Sequence, residues 1–152
     1  MSVFTGDDET SLIELLNQEL VISGRILELT VRQADLIATD DIDAFDDSLG
    51  FRQELIDKIE GLHQESDVLM QSYISYSSSA VGEESGDIEA SVSRLRDIFT
   101  KCASLDDKNT IAAKEKAESY KGRIGKLSMS RKSMRSYIPN ISNDPEMFDR
   151  MM

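Results

Sequence analysis

Few residues of this chain have the types and spacing for chemistry. His63 is the sole histidine, and with no cysteine or second histidine beside it on the helical pattern, it cannot complete a metal-ligand set. It reads instead as a histidine at the edge of a core. Cys102, the only cysteine, falls on one helical row with Leu95 and Phe99, so it reads as a buried, inert thiol rather than a nucleophile. Asp40, Asp41, Asp43, Asp46 and Asp47 resemble a calcium cluster. They lack the glycine at the sharp turn and the closing glutamate of an EF-hand loop, and five acids at the start of a helix are favoured by its dipole. One histidine does not build a serine–histidine–acid set, and neither a P-loop nor a GxGxxG stretch occurs. The expectation is a non-enzymatic protein without metal or cofactor.

The remaining chemistry is that of binding, and it concentrates in one run. From Ile88 to Ile138 about fifty residues pass without proline, with apolar residues at helical spacing. Ile88, Val92, Leu95, Phe99 and Cys102 form the first part of the row. Ala113, Ala117, Tyr120, Ile124, Leu127, Met134 and Ile138 form the second, interrupted only by Arg131. As one helix the run would be roughly 75 Å long, more than the rest of the chain easily covers, so part of its apolar face is expected to meet a partner. The heptad positions 92, 99, 106, 113, 120, 127 and 134 are apolar except at Asp106, and the companion row moves sideways there. Leu105-Asp-Asp-Lys-Asn109 is also a poor helix-forming patch. The pattern predicts a kink or break near 106–110, with the two halves facing different neighbours.

Charge follows the same division. The chain carries 17 Lys+Arg against 29 Asp+Glu, a net charge of −12. Up to Asp87 there are 4 basic and 20 acidic residues, net −16, and from Ile88 onward 13 and 9, net +4. Between Lys114 and Arg135 eight basic residues face two acidic ones. Such a balance disfavours nucleic acid and anionic lipid as partners. The basic stripe suits either packing beside the acidic N-terminal helices or recruitment of an acidic amphipathic partner. No run of eighteen apolar residues exists to cross a membrane, the first residues lack the pattern of a signal peptide, and a lone cysteine fits a reducing cytoplasm.

The elements that must position this run are helical. Residues 1–10 are expected to be disordered, with Ser11 and Glu14 as a capping box opening a helix over 11–39. Its apolar residues fall in two stripes, Ile13, Leu20, Leu27, Ala34 and Leu15, Ile22, Leu29, Leu36, broad enough to touch two neighbours. Capping oxygens at residues 39–43 start a second helix over 41–74 after a short turn, making an antiparallel hairpin. Residues 75–86 read as a flexible loop, 88–138 as the long helix, and 139–152 as a mobile tail. The fold class is all-α in a single domain: an antiparallel helical hairpin plus a long, kinked or broken C-terminal helix, in a coiled-coil-like bundle of three to four helices.

Four stretches carry a resemblance: Leu12-Ile-Glu-Leu-Leu-Asn-Gln-Glu-Leu20; Asp41-Ile-Asp-Ala-Phe45 leading to Leu49, Arg52, Leu55, Ile56 and Ile59; Leu105-Asp-Asp-Lys-Asn109; and Phe148-Asp149-Arg150 in the tail. In these the chain resembles the FlgN/FliT-type flagellar export chaperones. The resemblance implies a cytoplasmic chaperone for type III export. Such a protein holds late axial subunits, the hook-filament junction or cap proteins, and delivers them to the export apparatus. In that family the last helix and tail grip the client, which carried over here points to Ala113, Ala117, Tyr120, Ile124, Leu127, Met134 and Ile138. The alternative is a scaffolding coiled coil in which the same row pairs two copies into a homodimer.

Overall fold

The computed structural model describes residues 4–79, 84–116 and 126–135, and among them every regular element is helical. α1 spans Gly6–Ala38, α2 Ile42–Ser77 and α3 Gly86–Glu115; a further helix, α4, covers residues 126–135.

α1 begins earlier than the capping box at Ser11 suggested. Thr5 is the N-cap: its hydroxyl accepts from the Asp8 amide at 3.1 Å while Asp8 accepts from the Thr5 amide at 3.0 Å. Asp7, Asp8 and Glu9 then fill the first turn, where the helix dipole favours them. Phe4, just before the cap, is buried edge-on against Tyr73, ring centres 5.4 Å apart. That contact anchors a segment expected to be disordered.

The buried line of α1 is Leu12, Leu16, Glu19, Ser23, Ile26, Thr30, Gln33 and Ile37, with Leu36 beside it. This four-three spacing lies between the two apolar stripes named above, because half its members are polar. Ser23 and Thr30 donate to the carbonyls of Leu20 and Ile26, at 2.9 and 2.7 Å, so their hydroxyls are satisfied within the helix. Short side chains along this line let α1 pack against both α2 and α3.

The turn after α1 is a Schellman motif. Asp40 is left-handed at φ 56°, Asp41 donates its amide to Leu36, and Asp40 to Ile37, at 3.0 and 3.2 Å. Asp41 then caps α2 through the Ala44 amide at 3.2 Å. α2 runs to Ser77, into the segment read as loop, and the Ser85 amide donates to the Tyr73 hydroxyl at 2.8 Å as α3 begins. The rest of that loop, 80–83, lies outside the described residues.

α3 corrects two expectations. It passes through residues 106–110 as uninterrupted helix and ends at Glu115, capped by Lys116, so the run from 88 is not one helix to its end. The helix continues through this polar patch because the patch is buried and paired. Arg52 of α2 meets Asp106 at 2.6 Å with both side chains fully buried, Asn109 donates to the Thr30 carbonyl at 3.1 Å, and Thr110 to the Asp106 carbonyl at 2.7 Å. With Gln33 and Ser48, joined at 3.2 Å, these residues make a polar layer across the bundle. It separates a large core around Leu12, Ile59, Ile88 and Phe99 from a small one of Leu36, Ile37, Phe45, Leu49, Ala113 and Leu127.

His63 lies 3.3 Å from Glu19, whose carboxylate is almost completely buried in α1. The bond to Glu19 raises the histidine pKa above 6.5 against the opposing effect of burial, and Asp67 adds to the rise. A raised histidine pKa contributes stability that is complete below the unfolded value and is lost as pH climbs through the folded one. Resistance to urea is therefore expected to fall as pH rises above about 6.5, and His63→Gln should flatten that dependence. An unchanged slope in the variant would mean that the pair does not couple protonation to folding.

Candidate functional site

The site is the row from Ala113 to Ile138 and the surface that meets it. α2 and α3 approach each other through long side chains such as Arg52 and Asp106 rather than backbone to backbone, which leaves a furrow between them. α4 lies in this furrow. Its apolar and small residues Leu127, Ser130 and Met134 fall at i, i+3 and i+7 and are all buried. Leu127 enters the small core and Met134 the large one, so α4 spans the polar layer and runs antiparallel to α3.

Of the seven residues singled out from the sequence, three are buried in the bundle, each at most 1% exposed: Ala113 and Leu127 together in the small core and Met134 in the large one. Ala117, Tyr120, Ile124 and Ile138 lie outside the described residues, as does the tail 139–152. In this conformation the described part of the row faces its own chain rather than solvent. Burial of each apolar side chain contributes roughly 1.5–3 kcal/mol, and among the described residues α4 buries fewer of them than any other helix.

The basic stripe supplies the rest of the seat. Arg131 and Arg135 both reach Asp107 of α3, at 3.2 and 2.6 Å, and Lys126 reaches Asp46 of α2 at 3.1 Å. Cations of the last run thus meet acids of the earlier helices. These ion pairs are open to water, and pairs of that kind are worth about 0–1 kcal/mol each. The Ser130 hydroxyl is buried without a hydrogen-bond partner among the described residues, which weakens the seat further.

The groups first considered for chemistry occupy structural places. Cys102 is fully buried, and desolvation pushes its thiol up to about 11, far from a reactive thiolate. Asp41 caps α2, Asp40 lies 3.6 Å from Lys116, and among the described residues no group of three histidine, cysteine, aspartate or glutamate side chains could hold a metal. No described helix is long and apolar enough to cross a membrane.

Sequence reasoning missed two features of the site. Arg52, lying on the buried side of α2, was the signal that Asp106 has a partner. Phe51 and Met129 are 59% and 70% exposed and stand at the outer junction of α2 and α4; neither belongs to an apolar row, and no spacing rule would have paired them.

Among known proteins, a family model described as FlgN protein matches residues 1–143 of the chain. Neither a curated protein nor a solved structure matches it. The match covers the acidic hairpin, α3 and the whole basic run, and so the chain belongs to the FlgN family of flagellar export chaperones.

Proposed function

We propose that the chain acts in the cytoplasm, holding late axial subunits of the flagellum, the hook-filament junction or cap proteins, for delivery to the export apparatus. The grip is assigned to the row Ala113, Ala117, Tyr120, Ile124, Leu127, Met134 and Ile138. The observation that carries this reading is the seat of α4, a short amphipathic helix lying in the furrow between α2 and α3 by two apolar side chains and water-exposed ion pairs. A furrow that takes this helix has the dimensions and apolar floor for an amphipathic helix of a client. Equally, the row released from the furrow presents the same apolar residues to a client.

In either geometry Leu127 and Met134 cannot rest in the furrow while the client occupies the same contacts. Binding therefore competes with the seating of α4 and is expected to be weaker than the bare contact area suggests.

The test is Ile124→Asp together with Leu127→Asp, measured by calorimetric titration with purified hook-filament junction proteins. Affinity is expected to fall by more than about 100-fold, as for the loss of two central anchors. Circular dichroism should remain nearly that of the parent, because α1 to α3 keep their own contacts. Undiminished affinity, or a collapse of helicity, would sink the assignment of the row to the client, and a gain in affinity would place the client in the furrow that α4 vacates instead of on the row.

A further inference from the structure

The outer junction of α2 and α4 encloses a groove of about 570 Å³ that the client row does not use. Its walls include Phe51 and Met129, and its rim carries Asp46, Asp47 and Glu54 on one side and Lys126 on the other. Leu127 and Met134 point away from it into the cores.

Three observations make this groove more than a surface irregularity. First, Phe51 and Met129, 59% and 70% exposed, line the same hollow. Single exposed apolar residues are ordinary, whereas an exposed aromatic and a methionine facing one cleft are the residue types that anchor protein interfaces. Second, Asp47, Phe51 and Glu54 share the exposed outer face of α2 at i, i+4 and i+7, so the aromatic ring is flanked by an acid one turn to either side. Asp46 is already bonded to Lys126, but Asp47 and Glu54 have no cation partner among the described residues. Third, Gly50 lies on the groove wall inside α2, and nothing lies within 4 Å of where its Cβ would be. Packing within the chain does not require a glycine there, and its missing side chain keeps the hollow open.

We propose that this groove is a second docking surface, taking a short basic segment of a partner protein that places one or two large apolar side chains between Phe51 and Met129 and pairs its lysines or arginines with Asp47 and Glu54. Charge selects this occupant over the others at hand. The chain's own tail, residues 139–152, carries Asp144, Glu146 and Asp149 against Arg150 alone, and would be repelled by the rim. A second copy brings a net charge of −12, and in its basic run Lys126, Arg131 and Arg135 are already paired with Asp46 and Asp107 of the same chain. A groove of this volume accepts a few side chains of a helix or extended segment rather than a broad interface.

The experiment uses the full chain and two fluorescein-labelled amphipathic peptides, one of leucine and lysine and one with glutamate in place of every lysine, followed by fluorescence anisotropy. The lysine peptide is expected to bind and the glutamate peptide not. Phe51→Ser, and Gly50→Leu, whose Cβ meets nothing within 4 Å and whose side chain adds bulk to the groove wall, should each weaken binding about tenfold or more. Asp47→Lys with Glu54→Lys should do the same and remove most of the salt dependence. Val68→Ser, at an equally exposed apolar position of α2, should leave binding unchanged. Equal loss with Val68→Ser, or no loss with Phe51→Ser and Gly50→Leu, would show only general attraction between a basic peptide and an acidic chain and overturn the proposal. So would tighter binding once residues 139–152 are removed, which would make the tail the occupant. A dimer by light scattering that Phe51→Ser reduces to a monomer would assign the groove to a second copy and overturn it likewise.

Discussion

Replacing Asp106 with leucine is expected to cost about 3–5 kcal/mol of folding stability, the range for breaking a fully buried ion pair by removing one partner. The cost arises less from the lost attraction than from what remains. Arg52 is a fully buried guanidinium cation, and its Nε and Nη1 have no hydrogen-bond partner among the described residues. With Asp106 gone, the Nη2 contact at 2.6 Å is lost as well. Burial pushes the Asp106 carboxyl upward in pKa while Arg52 pulls it back, so the pair is held together by mutual need rather than by a generous surplus. For a chain whose whole stability is of the order of 5–15 kcal/mol, such a loss is decisive at moderate urea. The companion variant, Arg52→Met with Asp106→Leu, should recover most of the loss, because similar volume is then filled without a buried charge. Urea unfolding followed by circular dichroism measures both. A single substitution costing less than about 1 kcal/mol would mean that the polar layer is open to water.

The second large effect is expected at Phe45. This side chain is fully buried in the small core with Leu36, Ile37, Leu49, Ala113 and Leu127. Truncation to alanine should cost about 3–5 kcal/mol, the lost transfer free energy plus the cavity left behind. The position of the cavity gives the prediction its specificity. The small core is where Leu127 is seated, so Phe45→Ala should raise amide hydrogen exchange across residues 126–135 more than it does in the first half of α3. Val92→Ala, in the large core, should not produce that pattern. Uniform acceleration in both variants would indicate that α4 does not depend on the small core for its place.

Two features of the chain pull against each other around Asp106. By propensity, Leu105-Asp-Asp-Lys-Asn109 is a weak helical patch, and by heptad count it is where the apolar seam shifts. Both readings are correct as local statements, and both pointed to a kink or break, whereas α3 passes through the patch as uninterrupted helix. Local propensity differences amount to a few tenths of a kcal/mol per residue, whereas the bond to Arg52, the Asn109 link to Thr30 and the apolar contacts on either side act on the same backbone at once. Tertiary contacts outweigh local preference there. The sideways shift of the seam survives in another form, as the polar layer between two cores.

α1 shows the complementary limit. Counting apolar residues found Ile13, Leu20, Ile22 and Leu27, which flank the helix–helix contact and are only partly buried. The centre of the contact contains Glu19, Ser23, Thr30 and Gln33, all buried. Polar residues enter such a line only when each finds a partner: Glu19 has His63 and Gln33 has Ser48 from another helix, while the hydroxyls turn back on their own carbonyls. A hydrophobicity pattern cannot contain the partners of Glu19 and Gln33, because those two pairings depend on another helix and are not periodic properties of α1. The N-cap at Thr5 was legible in principle, as Thr5-Gly-Asp-Asp8 is a capping box with aspartate in place of glutamate.

By itself the sequence determined that this protein is all-helical, acidic in its first half and basic in its last run, and similar to the flagellar export chaperones. Those properties reside in period, composition and short motifs, which are additive along the chain. Only the tertiary structure decided that the basic run divides at Glu115, that its Leu127 and Met134 lie in a furrow of their own bundle, and that Asp106 is matched by Arg52. Each of these depends on residues tens of positions apart meeting in space. Whether an apolar row is core or binding face depends on which surface reaches it first, and periodicity along one helix carries no record of that surface.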